Sequence, residues 1–373
     1  MQANLRTAAT VLAAVIASLA AGYVVFRFIE FAVGGLWTDI PANVFAGRAP
    51  LLYVVGIPTA AGLLVAVSRR LGADGHNPLY GFSREPVSAR AFPATLANIL
   101  ITLAGGLVLG PEMALVATGS VIGGSLARRA GTDLARGAGL GSLAALAALA
   151  VDPIRTGHLS FGVGYSYASS DLPLAVGAAS VATVLIAGVR LGAFGLMKLR
   201  GGDRPIGWQL ALGGLLVGSA AVAYQTATDQ PINLVLTSGE QLIRPMVGLG
   251  SVGLILATVA IKGLCYLISM GSGFRGGPYF PVMFIGAGVG AAIGLLTTGS
   301  VQAPALAGLL ATTIFLAKPP WVAVVALGLV VGFAFGGVAM LPVALVGAAI
   351  GKLIPRMFEP PAPDDAASAV TSA

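Results

Sequence analysis

The sequence predicts an all-α protein that crosses a lipid bilayer many times. Three observations predict it: little charge, a succession of long apolar runs, and a register of Gly and Pro that recurs about halfway along the chain. Of 373 residues, 57% are hydrophobic and 9% charged, whereas a soluble domain carries roughly a quarter charged. Backbone groups inside lipid must be satisfied internally, which leaves helices or closed barrels. The runs are rich in Ala, Leu and Val without the alternation of a barrel strand, so helices are expected.

The first run, 7–33, passes through Arg27 and Glu30 without a convincing cleavage site, so it reads as a retained helix rather than a signal peptide. The next, 50–68, closes on Arg69 and Arg70. The runs 93–108 and 113–127 are short for a perpendicular crossing of roughly 30 Å of hydrocarbon. Gly and Pro interrupt them, which is tolerated at membrane depth only where protein or a water-filled cavity covers the backbone. Then come 137–151, ending near Asp152-Pro153, and 173–197, closing on Lys198, Arg200 and Arg204. The second half supplies 207–228, 246–270, 279–298, 303–317 and 321–355. The tail, 358–373, holds Pro360, Pro361, Pro363, Asp364 and Asp365 and reads as a disordered cytoplasmic end.

The net charge of +7 does not form a nucleic-acid stripe. Basic residues cluster at the ends of apolar runs (Arg69 and Arg70; Arg128, Arg129 and Arg136; Lys198, Arg200 and Arg204), as solvated charges of cytoplasmic loops do. The single cysteine, Cys265, lies in an apolar run, so no intrachain disulfide exists and packing is its expected role. His76 and His158 have no Cys or acidic neighbours at metal spacing, so neither metal nor cofactor is expected.

The most informative feature is an internal repeat. Gly110-Pro111 is followed by Gly119 and Gly123; Gly277-Pro278 is followed at identical spacing by Gly286 and Gly290. Gly141 matches Gly308 and Pro153 matches Pro320, all at an offset of 167 residues. Two transmembrane repeats are therefore expected, 1–200 and 201–357. Paired, Gly/Pro-interrupted short helices in two halves point to a transporter binding site. Their relative orientation is not legible from the register.

Gly276-Gly277-Pro278-Tyr279-Phe280-Pro281 can turn the backbone and start a helix. Such a start points unpaired amides, and roughly half a positive charge, at whatever faces it. In low dielectric that is an anion site without a basic side chain, of the weakly holding kind that conduction requires. The first repeat offers the same at Leu109-Gly110-Pro111-Glu112-Met113-Ala114. Glu112 is the only acidic residue between Glu85 and Asp133. It is either an ordinary N-terminal capping carboxylate or a gate that occupies the anion's place and leaves when protonated; intramembrane carboxylates favour the gate. Lys262, within an apolar run, either snorkels or pairs structurally or lends positive potential to an anion path. Arg275 is either a plain loop arginine or an anion-steering charge at a pore mouth. The glycine ladders 119/123 and 286/290/294 read as close helix packing. An intramembrane serine protease would need a paired Ser and His; Ser120, Ser125, Ser272 and His158 form no such motif, so no enzyme is expected.

These residues resemble the chloride channel and transporter (CLC) family. Its members carry a Gly-Arg-Glu-Gly-Pro stretch and, later, Gly-Gly-x-Phe-x-Pro followed by Gly-x3-Gly. The first is similar to Gly106-Leu107-Val108-Leu109-Gly110-Pro111-Glu112-Met113-Ala114; the second to Gly271–Pro281 running into Gly286-Ala287-Gly288-Val289-Gly290. The wording is most similar to the small bacterial ion-transport branch, over about 95–125 and 260–295. The resemblance implies an inverted-repeat helical fold, a homodimer in the bacterial cytoplasmic (inner) membrane, and one pathway per subunit for a small inorganic anion such as chloride. Glu112 falls on the family's gating glutamate. Gly110, Met113, Gly276, Gly277, Tyr279 and Phe280 fall on or beside its anion-binding amides, with Lys262 and Arg275 as candidate electropositive lining. The family's Gly-Ser-Gly-Ile-Pro stretch falls loosely on Asp74-Gly75-His76-Asn77-Pro78.

The departures are specific. Pro278 and Pro111 each remove an N–H donor. Gly75 stands where the family has a serine hydroxyl, and no tyrosine lies near the C-terminus. The stretch 154–170 lacks the second glutamate of proton-coupled members. A passive channel, a carrier of a different small anion and a non-conducting structural relative therefore stand beside chloride transport.

Overall fold

The structure is a computed structural model that describes residues 2–71, 75, 77–80, 86–151, 165–203, 207–297 and 300–354. Asp74, His76, Glu85, Pro153, His158, Arg204 and the 358–373 tail, all singled out in the sequence, lie outside the described residues.

The first apolar run is α1 (Gln2–Gly34), which continues through one π-helical turn, Gly35–Asp39, into the short α2 (Ile40–Val44). After α3 (Leu51–Leu71), α4 (Phe92–Ala104) starts with a proline in its first turn. Helices α5 (Glu112–Arg129) and α6 (Leu134–Leu146) form a hairpin, and the Asp133 side chain caps α6 by accepting the Arg136 N–H. The first half closes with α7 (Asp171–Leu199). At 29 residues it spans about 43 Å, longer than the roughly 30 Å hydrocarbon layer.

The second half contains α8 (Gly207–Thr228), a loop with 3-10 turns leading into α9 (Ile243–Val247), then α10 (Val252–Gly271), α11 (Tyr279–Thr297) and α12 (Gln302–Ala317). The last run, 321–355, is not one helix. It divides into α13 (Trp321–Gly336) and α14 (Leu341–Leu353), because Gly337 turns at φ +66° and Pro342 restarts the helix.

Among the described residues, seven segments are long and apolar enough to cross a bilayer. The protein is a multi-pass, all-helical membrane protein, its outward faces apolar as lipid requires: Phe31, Leu52, Val322 and Phe333 are all exposed.

The register seen in the sequence is also present in space. Helices α4 and α10 end at Ala104 and Gly271, and each is followed two residues on by a glycine of positive φ, Gly106 and Gly273. Helices α5 and α11 then start at Glu112 and Tyr279. Both pack on their successors through matched glycines. A Cβ on Gly119 would meet the Gly141 carbonyl at 2.1 Å, and one on Gly286 would meet that of Gly308 at 2.5 Å. Small residues at these points let two backbones approach closely.

Candidate functional site

Between the two helix breaks the chain closes a contact on itself. Gly110 N donates to Gly277 O at 2.5 Å and Gly277 N donates to Gly110 O at 2.6 Å, an isolated antiparallel bridge. The two glycines occupy matched positions in the register, 167 residues apart. The segments leading into it are held firmly: Val108 N donates to the Ser269 hydroxyl at 3.1 Å, and Thr237 N donates to Gly106 O at 3.0 Å.

Glu112 sits on this bridge and is 3% exposed. Its Oε1 accepts the N–H of Phe280, in the first turn of α11, at 2.8 Å. Its Oε2 lies over both glycines: a Cβ built on Gly277 would fall 1.5 Å from that oxygen, and one on Gly110 2.0 Å from it. Glycine is required at both positions by this close approach, not by backbone angle. Oε2 is buried and has no hydrogen-bond partner among the described residues. A carboxylate on the first turn of a helix meets the positive end of its dipole, and here it does so for α11 as well as for its own α5.

The expected anion-binding amides divide. Phe280 N is taken by Glu112, and Tyr279, buried beside it, shares that helix start. Met113 and Gly276 lie next to the bridge, Gly276 packed so closely on Leu109 that a Cβ would meet its Cβ at 2.7 Å. The amides of Gly110 and Gly277 each donate to the other's carbonyl in this conformation. Pro278, which has no N–H, accepts at its carbonyl from the Tyr266 hydroxyl at 2.8 Å.

Lys262 does not snorkel. It is fully buried, and its ammonium donates to the carbonyls of Leu234 (3.2 Å), Leu236 (3.0 Å) and Thr237 (3.2 Å), while lying 4.5 Å from the centre of the Phe284 ring. Three donors meet three acceptors, which fixes the loop before α9 against α10 and α11. That loop carries no sequence motif. It also forms a cleft with the end of α1, where Glu30, Thr38, Ser238, Glu240 and Gln241 line it beside Val33, Trp37 and Leu242.

Several arginines do more than mark loops. Arg69 donates to the Gly273 carbonyl and Arg200 to that of Gly271 at 2.5 Å, so both cap the C-terminal end of α10. Arg275, 2% exposed, donates to Asp203 at 3.1 Å, which also accepts from Asn77 at 2.5 Å. Arg70, Arg128, Arg129 and Arg136 are exposed, as expected for loop charges. Cys265 is buried in packing contact with α8.

The comparisons with known proteins agree with this architecture. The description of the voltage gated chloride channel family matches residues 135–356. The chain belongs to the CLC family. Among curated proteins, it is 25% identical over 309 residues to "Putative ion-transport protein YfeO" of Escherichia coli, a match covering 68% of this chain and 71% of that one. Among solved structures, a slow cyanobacterial Cl-/H+ antiporter superposes with TM-score 0.68 at 17% identity, covering 93% of this chain and 94% of that chain. A CLC-type fluoride/proton antiporter superposes with TM-score 0.68 at 14% identity, covering 95% and 97%. At such identities the CLC structures establish the fold alone. The family match begins after Glu112, so that residue's role rests on the geometry above.

Proposed function

We propose that this CLC protein carries a small monovalent anion across the bacterial cytoplasmic membrane, through a pathway in each subunit of a homodimer, and that Glu112 is the gate. The observation that carries the reading is the Phe280 N–H donated to Glu112 Oε1 at 2.8 Å. A negatively charged oxygen at a helix start is where an inorganic anion is best stabilised. Carboxylate and anion then compete for one set of amides, and removing the carboxylate exposes Phe280 N. The reading takes the halves 1–200 and 201–357 as inverted repeats, which the antiparallel bridge at Gly110 and Gly277 supports.

Flux of chloride, fluoride, nitrate and bromide into proteoliposomes tests it. Wild-type protein is expected to conduct at least one of them, with Glu112→Gln altering rate and pH response. A variant indistinguishable from wild type removes Glu112 from the mechanism; an inert wild type removes transport altogether. Because Ile154 to Ser170 holds no acidic residue, flux measured at two pH values separates a passive channel from exchange through a different route.

A further inference from the structure

Arg190 lies well inside the long apolar helix α7, nine residues before its end, and is 5% exposed. Its Nη2 donates to the Leu79 carbonyl at 2.7 Å. Its Nε is buried without a hydrogen-bond partner, and no carboxylate pairs with it among the described residues. A buried guanidinium left with an idle donor and no counter-charge is costly. Intramembrane charges of this kind line ion paths.

Its neighbours place it. Leu79 belongs to the 3-10 turn Pro78–Tyr80, and its amide accepts support from the Asn77 side chain, Leu79 N donating to Oδ1 at 2.9 Å. The helix that carries Arg190 also packs on α10 and α11, which carry Tyr266 and Tyr279. The Tyr266 hydroxyl is bonded to Pro278 O, so that ring ends at the break before α11. The guanidinium is thus bonded to the turn at 78–80 from a helix that packs on α11. At that break Pro278 has no N–H, and at the preceding loop Gly75 has no side-chain donor.

We propose that Arg190 is a ligand of the transported anion, a small monovalent inorganic ion held by the Nε–H and the fixed positive charge. This rests on the anion-path reading. The bond to Leu79 O fixes the guanidinium plane, so little side-chain freedom is lost when the ion arrives. A full charge also binds more tightly than amides alone, which trades turnover for occupancy.

The experiment is calorimetric titration of detergent-purified protein with chloride and with nitrate, comparing wild type, Arg190→Gln and Arg190→Lys. Wild type is expected to bind at least one ion. Arg190→Gln should weaken that binding tenfold or more and abolish the thermal stabilisation the ion gives, while Arg190→Lys, keeping charge but losing the planar fork, falls between. Affinity in Arg190→Gln within twofold of wild type overturns the assignment and leaves the transport reading standing. A wild type that binds neither ion overturns the assignment, and the flux of all four anions then decides the transport reading separately. If Arg190→Gln does not fold, Arg190→Lys decides: a threefold or greater loss of affinity supports the ligand role, and unchanged affinity for both ions overturns it.

Discussion

Phe280 and Glu112 lie 168 residues apart in the chain, and the N–H of the first donates to the carboxylate of the second at 2.8 Å. The carboxylate is covalently part of one helix start and electrostatically part of the other. If it gates, protonation should release it, so anion flux rises as pH falls. Glu112→Gln carries no ionisable group and should conduct with a flat pH profile between pH 4 and pH 8, about the range a carboxylate and its neighbours can titrate. Proteoliposome flux across that range checks this.

Gly277→Ala should be destabilising because its Cβ would fall 1.5 Å from Glu112 Oε2. The cost should shrink when Glu112 is also replaced by Ala, since the nearest remaining obstacle is Gly110 O at 3.0 Å. A double-mutant cycle by thermal unfolding should therefore show coupling of about 1–3 kcal/mol. Additive costs would mean that the two groups do not share this space.

Gly290→Ala should destabilise by about 1–3 kcal/mol through overpacking, because a Cβ there would meet the Pro304 carbonyl at 1.9 Å. Gly177→Ala, also in a helix but with nothing within 4 Å of its Cβ, should be neutral or slightly stabilising. Melting temperatures of the pair, measured in the same detergent, separate packing from helix propensity.

Lys262→Met keeps most of the side-chain volume but strands the carbonyls of Leu234, Leu236 and Thr237. Loss of hydrogen bonds from a charged donor should cost at least about 2 kcal/mol. Proteolysis or hydrogen exchange should show the loop at 232–242 loosened first, before α10 or α11.

The fold was legible because lipid restricts what apolar runs can be, and the repeat because glycines at helix contacts have no substitutes. Glu112 and the 276–281 stretch were legible for the same reason: breaks in membrane helices are rare and their residues conspicuous. The cytoplasmic-loop reading of Arg69 and Arg200 missed their bonds to α10 carbonyls, because a charge at a helix end looks the same whether it meets water or a neighbouring backbone. The loop holding Lys262 has no periodicity to read. Arg190 was missed although a signal existed, a lone cation deep inside a long apolar run. The mutual bond of Gly110 and Gly277 was beyond reach, since hydrogen bonds between main chains leave no side-chain trace.

That mutual bond also bears on motion. Each glycine peptide holds the other's, so a shift at the head of α5 pulls on the head of α11. The heads of α5 and α11 are clasped by two bonds at once, so parting them requires breaking the pair.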